Sequence, residues 1–314
     1  MTVTRTISFV IPVYRNERAV TITYDKIKGA LATDLAGYAY EFLFVDDGSD
    51  DGSLAELMRL HEKDPRVRVI TFTRNFGQMA ALLAGLKHAA GDLVLTLSAD
   101  LQDPVELIPR MVREYENGSE LIIGYRAERA DQWSSRLTSS IFYSIIRLSF
   151  PQMPAGGFDY VMMARRVVDS FNDIEVRNRF FQGDLLWLGY RTSFIPYTRA
   201  RRTIGRSQYT FAKRLKNSLD AIVDSSYLPI RFMSVSGVIT AFAGFLYALN
   251  IAYTRLRHGT PFTGWAPIMI LLLLIGGLLM LMMGIIGEYI WRIHDEVKKK
   301  PNYIVRAIYG GETP

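Results

Sequence analysis

Leu93-Val94-Leu95-Thr96-Leu97-Ser98-Ala99-Asp100-Leu101-Gln102-Asp103-Pro104 is the stretch that decides how this chain folds. A short apolar run of β type delivers an acidic residue at its carboxyl end, followed by a proline that can open a helix. Ligands of open α/β sheets gather at strand ends, and a hard carboxylate oxygen there can hold Mg2+ or Mn2+ against phosphates. Taken alone, Asp100 serves equally well as a turn former or a helix cap. The chain on either side decides between these readings.

Apolar runs of strand type recur at Ile7 to Ile11, Glu41 to Val45, Val67 to Phe72 and Glu120 to Gly124. Helical patterns separate them at Ala19 to Ala32, Ser53 to Lys63, Met79 to Ala90 and Pro104 to Asn117. The alternation predicts an α/β domain on a mostly parallel sheet with both faces covered. The carboxyl edge of such a sheet would carry Val45-Asp46-Asp47-Gly48-Ser49 and Arg74-Asn75-Phe76-Gly77 beside Asp100. Acceptors for a base, a guanidinium for phosphates and a carboxylate for a cation are the parts of a nucleotide pocket. No Gly-x-Gly-x-x-Gly follows the first strand and no Gly-Lys-Ser/Thr loop occurs, which argues against dinucleotide oxidoreductases and P-loop ATPases.

With 49% hydrophobic and 22% charged residues over 314 positions, the chain fits a soluble domain joined to membrane segments. It has no cysteine, which excludes disulfides, thiolate nucleophiles and zinc–thiolate sites. The net charge of +6 favours anionic partners, and the excess is concentrated at Arg126 to Arg136, Arg199 to Arg214 and Lys298 to Lys300. No zinc-finger, basic-zipper or RNA-binding signature accompanies it, so membrane and phosphate rank above nucleic acid.

Phe232 to Thr254 and Ile268 to Gly287 lack Asp, Glu, Lys and Arg, and each reaches the roughly 20 residues a helix needs to cross a bilayer. The short linker between them predicts a helical hairpin. Arg214, Lys216 and Arg231 precede the pair, and Arg292, Lys298, Lys299, Lys300 and Arg306 follow it. The connecting loop holds only Arg255 and Arg257, so the positive-inside rule puts both ends in the cytoplasm. The N-terminal apolar run is short and broken by Pro12, unlike a signal peptide. The expected organisation is a domain at 1–210 that includes an interfacial helix at 133–150, then a second interfacial helix at 211–230. Two membrane helices within 231–290 and a basic cytoplasmic tail at 291–314 complete it.

Five motifs occur in order: Val10-Ile11-Pro12-Val13-Tyr14-Arg15-Asn16-Glu17, Val45 to Ser49, Arg74 to Gly77, Ala99 to Pro104 and Gly287-Glu288-Tyr289. Together they resemble the GT-A fold glycosyltransferases of family 2. The similarity is to the polyprenyl-phosphate branch, which includes dolichyl-phosphate mannose synthases and bacterial undecaprenyl-phosphate sugar transferases. The resemblance implies an inverting transfer at the bacterial inner membrane, with UDP-glucose as the expected donor, undecaprenyl phosphate as acceptor, and Mg2+ or Mn2+. It implies a nucleotide site of Pro12, Tyr14, Glu17, Asp46, Asp47, Arg74, Ala99 and Asp100, with the cation on Asp100 and Gln102. Asp159, in Gly156-Gly157-Phe158-Asp159-Tyr160, takes the place of the catalytic aspartate. Arg126, Arg136 and Ser140 match acceptor-phosphate positions, while Arg202 and Ser207 belong to a stretch that resembles a loop closing on the diphosphate. Because relatives form tetramers, a homo-oligomer in contact with the lipid bilayer is expected, with no nucleic-acid partner.

Two departures bear on the chemistry. Ser98 stands where many relatives have Asp, which predicts weaker metal affinity, and no Arg follows Asp159, which leaves the donor sugar open. Another UDP-sugar, such as an amino sugar or amino-arabinose derivative, is the alternative donor. A catalytically silent lipid-phosphate-binding scaffold is the alternative class. A phosphate acceptor has its second pKa at about 6, so it needs less deprotonation than a hydroxyl, and Asp159 would serve as base or as positioning group.

Overall fold

The computed structural model describes residues 5–100, 102–126, 143–177, 179–198, 228–258 and 266–310. The chain divides into two units, Met1–Ser218 with Pro301–Pro314, and Leu219–Lys300. In the first unit β1 (Thr6–Val13), α1 (Glu17–Asp34), β2 (Ala39–Asp46), α2 (Ser53–Lys63), β3 (Val67–Phe72), α3 (Gln78–His88) and β4 (Leu93–Thr96) alternate as the apolar periodicity requires. There follow a 3-10 turn (Val105–Leu107), α4 (Ile108–Glu116), β5 (Leu121–Arg126) and a short helix α5 at 143–149. Then come β6 (Tyr160–Ala164), α6 (Arg165–Asn172), α7 (Phe181–Trp187) and β7 (Thr192–Tyr197).

One eight-stranded sheet runs in the order β7-β5-β6-β4-β1-β2-β3-β8. Strands β4, β1, β2 and β3 are mutually parallel. They are nearly continuous apolar runs because helices cover both faces, and all four residues of β4 are buried. Phe9, Phe42 and Phe44 stack across β1 and β2, with ring centroids 5.3 and 6.1 Å apart, and anchor the core against α1. The expected α/β sheet is therefore present at its centre. Beyond β4 the sheet becomes mixed: β6 is antiparallel to both β4 and β5, and β7 is parallel to β5. β7 carries Pro196 mid-strand, which only an edge position tolerates.

The segment 291–314, expected to be a basic tail, contributes a strand to the sheet. Residues Val305–Tyr309 form β8, antiparallel to β3 at the sheet edge, with Ile70 opposite Ile308. The Tyr303 ring stacks on Phe72 at 5.0 Å, and Thr73 N–H donates to the Ile304 carbonyl at 3.1 Å. The physical reason is that β3 would otherwise leave its outer row of N–H and C=O groups unpaired. The alternation Val305, Ala307, Tyr309 is too short and too close to a lysine run to stand out in sequence.

The second unit consists of α8 (Leu228–His258) and α9 (Ala266–Val297). Each contains a stretch long and apolar enough to cross a membrane: Ile230–Ile251 with mean hydropathy 1.8, and Leu271–Val297 with 2.3. Only 6% and 0% of the most apolar windows are buried, so these helices are not the core of a water-soluble fold. α9 continues past the expected end at Gly287, helped by an ion pair between Glu288 and Arg292 one turn apart (3.3 Å).

Deleting residues 301–314 should expose the β3 edge and the face of Phe72. The expected outcome is a lower melting temperature of the first unit together with concentration-dependent association in detergent, read by calorimetry and light scattering. An unchanged melting temperature would show that β8 adds nothing to the sheet.

Candidate active site

The loops after the four parallel strands share one edge of the sheet. After β1 the chain turns through Arg15 at φ +53, a conformation that costs a non-glycine residue about 1 kcal/mol or more and persists only when its surroundings hold it. Arg15 is held by Asp50, to which Nε and Nη2 donate at 2.6 and 2.5 Å, and by Ser49 Oγ, which accepts its backbone N–H at 3.1 Å. The first loop is thus tied to the second. Pro12 and Tyr14 are half-buried beside this tie, and Glu17 is exposed in the first turn of α1, packed against Gly52.

Asp46 ends β2 and is buried; burial raises its pKa, and Ser49, whose N–H donates to it at 3.3 Å, offsets only part of that rise. Asp47 is also buried and also raised, but its two oxygens accept the Phe76 and Gly77 N–H groups at 2.6 and 2.9 Å. Asp47, expected at the nucleotide, holds the loop after β3 in place through these two bonds. Gly48 makes the close approach of these loops feasible: it sits at φ +66, and a Cβ there would lie 2.5 Å from the Arg74 carbonyl carbon. Arg74 itself is exposed, with its guanidinium 4.0 Å from the centre of the Phe76 ring.

After β4, the buried Ala99 accepts a hydrogen bond from Thr23 Oγ1 at 3.1 Å through its carbonyl. Asp100 is buried too, and its Oδ1 accepts the Gln102 backbone N–H at 3.3 Å. Gln102 therefore meets Asp100 through its backbone. Ser98 Oγ lies 2.8 Å from Asp100 Oδ1 and 2.7 Å from Asp103 Oδ2. Asp103 Oδ2 also accepts the Ser98 N–H at 2.8 Å, and its Oδ1 accepts the Tyr197 hydroxyl at 3.2 Å.

Strand direction brings the remaining acid to the same edge. β6 pairs Val161 with Thr96 of β4, so Asp159, which leads into β6, sits where β4 ends. Thr96 Oγ1 donates to the Asp159 carbonyl at 3.1 Å. β5 runs toward that edge and ends at Arg126, whose Nη2 lies 3.4 Å from Asp159 Oδ2. Burial works against the Arg126 charge, but Asp159, Tyr197 and Asp103 more than offset it and raise its pKa. Gly157, at φ +65, lets the turn before Asp159 pass beside Tyr143 and Gln182, and Gln182 Nε2 donates to the Phe158 carbonyl at 2.7 Å.

Of the expected site residues, Pro12, Tyr14, Glu17, Asp46, Asp47, Arg74, Ala99, Asp100, Gln102, Arg126 and Asp159 therefore fall on loops, strand ends or the start of α1 at one sheet edge. Arg136, Ser140, Arg202 and Ser207 lie outside the described residues, as does most of the expected interfacial helices at 133–150 and 211–230. Asp103 and Tyr197 are not among the residues expected at the site. Asp103 looks like a helix opener before Pro104, and Tyr197 lies on an edge strand whose proline hides its β character. Among the described residues no group of three or more His, Asp and Glu side chains is placed to hold a metal by itself. The hard oxygens at the end of β4 suit Mg2+ or Mn2+ when a ligand's phosphates and water complete the shell.

Residues 8–207 match the family described as Glycosyl transferase family 2. The chain is 34% identical to the bactoprenol glucosyl transferase of Shigella phage SfV over 302 residues, 96% of this chain and 98% of that one. It is 36% identical to the uncharacterized glycosyltransferase YkcC of Bacillus subtilis (strain 168) over 308 residues, covering 97% and 94% of the two chains. Among solved structures, glucosyl-3-phosphoglycerate synthase from Mycobacterium tuberculosis, in complex with Mn2+, uridine diphosphate and phosphoglyceric acid, is similar in fold. Its TM-score is 0.52 at 16% identity, covering 70% of this chain and 76% of that one. The GT-A architecture expected from the motifs is the one observed.

Asp47→Ala should release the loop after β3. Amide hydrogen exchange at Phe76 and Gly77 should accelerate by about tenfold or more, as loss of a charge-assisted hydrogen bond worth about 1.5–3 kcal/mol requires. Protection in β1 and β4 should stay. Unchanged exchange at Phe76 and Gly77 would contradict the holding role of Asp47.

Proposed function

Because this chain belongs to glycosyl transferase family 2, we propose that it moves glucose from UDP-glucose to the phosphate of undecaprenol, with inversion at the anomeric carbon. The carrying observation is the likeness to bactoprenol glucosyl transferase, which spans both the α/β unit and the apolar helical pair. The neighbouring fold that binds Mn2+ and uridine diphosphate supports the choice of nucleotide and cation.

In this reading the base and ribose lie against the loops after β1 and β2, where Asp46 is the buried acceptor. Asp100 and Ser98 face the diphosphate, and a divalent cation held at Asp100 would supply positive charge to the departing UDP. Two anions must approach each other for transfer, and coulombic repulsion opposes that in a low-dielectric site. Arg126 answers it: it is largely buried, its positive charge is reinforced by Asp159, Tyr197 and Asp103, and it stands at the end of β5 beside the reaction edge. The acceptor phosphate would bind there, with Asp159 Oδ2 sharing the guanidinium and fixing its direction. Since that phosphate is itself an anionic nucleophile near neutral pH, the main demand on Asp159 is alignment of the attacking oxygen with the anomeric carbon. The apolar helices would lie in the inner membrane with both ends cytoplasmic, by the distribution of Lys and Arg around them.

The test is transfer by the purified full-length chain, supplied with radiolabelled UDP-glucose, undecaprenyl phosphate and Mg2+ or Mn2+. A labelled, organic-extractable lipid is expected, and chelation should abolish it. Asp159→Asn should retain UDP binding and lose about 100-fold or more in turnover. Labelled lipid from a different UDP-sugar only would overturn the donor assignment. Full turnover by Asp159→Asn would remove that residue from the reaction.

A further inference from the structure

Ser98 occupies the position where the sequence reading expects a weakness, and its surroundings make it more than a lost carboxylate. Its hydroxyl has one proton and two lone pairs, yet it contacts two buried carboxylates, Asp100 Oδ1 at 2.8 Å and Asp103 Oδ2 at 2.7 Å. With both acids ionised, a single proton can serve only one of these contacts well. Asp103 is a firmly fixed acceptor: the same Oδ2 takes the Ser98 N–H at 2.8 Å, and Oδ1 takes the Tyr197 hydroxyl at 3.2 Å. A hydroxyl that donates to Asp103 turns its lone pairs toward Asp100.

We propose that Ser98 Oγ is itself a ligand of the divalent cation at Asp100, oriented for that role by Asp103. The assignment rests on the reading of Asp100 as the cation's carboxylate. Its geometric basis is the 2.8 Å separation of Ser98 Oγ and Asp100 Oδ1. Neighbouring oxygens on an octahedral Mg2+, each at about 2.1 Å from the ion, stand roughly 3.0 Å apart. The two side chains already define one edge of such a shell. A neutral hydroxyl replaces a charged ligand, and the buried carboxylate of Asp103 behind it polarises the O–H bond and strengthens the oxygen as a donor. Asp103 is then a positioning residue, and through Tyr197, which faces Arg126 in the β5–β7 register, it also borders the cation that would hold the acceptor.

The absence of cysteine from the chain makes the test clean. Full-length Ser98→Cys, loaded with Co2+ in the presence of UDP, should show a thiolate-to-cobalt charge-transfer band that the wild type lacks, because soft sulfur enters the shell. The same variant should shift its preference from Mg2+ toward Cd2+ by about tenfold or more, and Ser98→Ala should weaken UDP-dependent Mn2+ binding by about tenfold. A hydroxyl that only bridged two acids would give neither the band nor the shift in preference. Mn2+ binding by Asp100→Ala separates the two levels. If it is lost while both Ser98 variants keep wild-type spectra and affinity, the Ser98 assignment fails and the Asp100 reading stands. If Asp100→Ala binds Mn2+ as the wild type does, the cation reading falls and the Ser98 assignment falls with it.

Discussion

Strand polarity governs the site. Four parallel strands, β4, β1, β2 and β3, leave the sheet at one edge, and β6 enters it there because it runs antiparallel to β4 with Thr96 opposite Val161. Asp100, at the exit of β4, and Asp159, at the entrance of β6, are thereby placed on the same edge although their segments are far apart in the chain. β5, antiparallel to β6, adds Arg126 to that edge by the same rule. A change in the direction of β6 alone would carry Asp159 to the opposite end of the sheet.

Two buried carboxylates hold this edge in shape. Asp47 clamps the loop after β3 through two backbone N–H groups, and Asp103 clamps the loop after β4 through the Ser98 N–H and hydroxyl. An unpaired carboxylate in either place would be costly, which is why each is surrounded by donors. The arrangement gives Asp46, Arg74 and Asp100 loops that need little ordering when a ligand arrives. The strained φ of Arg15, fixed by Asp50 and Ser49, belongs to the same scheme.

The centre of the fold was legible because a parallel sheet covered on both faces needs uninterrupted apolar strands, and β1 to β4 have them. The motifs at their ends were legible for the same reason, since a strand end marks its loop. The edges were not. β7 contains Pro196, and β8 follows a lysine run after a long apolar helix, so nothing local separates it from a solvated tail. The roles of Asp47 and Asp103 also stayed hidden, because a carboxylate that accepts backbone N–H groups and one that faces a ligand are the same letter in sequence. Only the three-dimensional position of Phe76, Gly77 and Ser98 tells them apart.

The edge formed by the ends of β1, β2, β4 and β5 and the start of β6 is the proposed donor site. An experimental structure of the full-length protein with UDP-glucose and Mn2+ tests it most directly. Uridine should lie against Asp46, the diphosphate beside Ser98 and Asp100, and the glucose anomeric carbon should turn toward Arg126 and Asp159. Nucleotide bound at any other face of the sheet, with Asp100 and Asp159 in contact with neither diphosphate nor sugar, would contradict it.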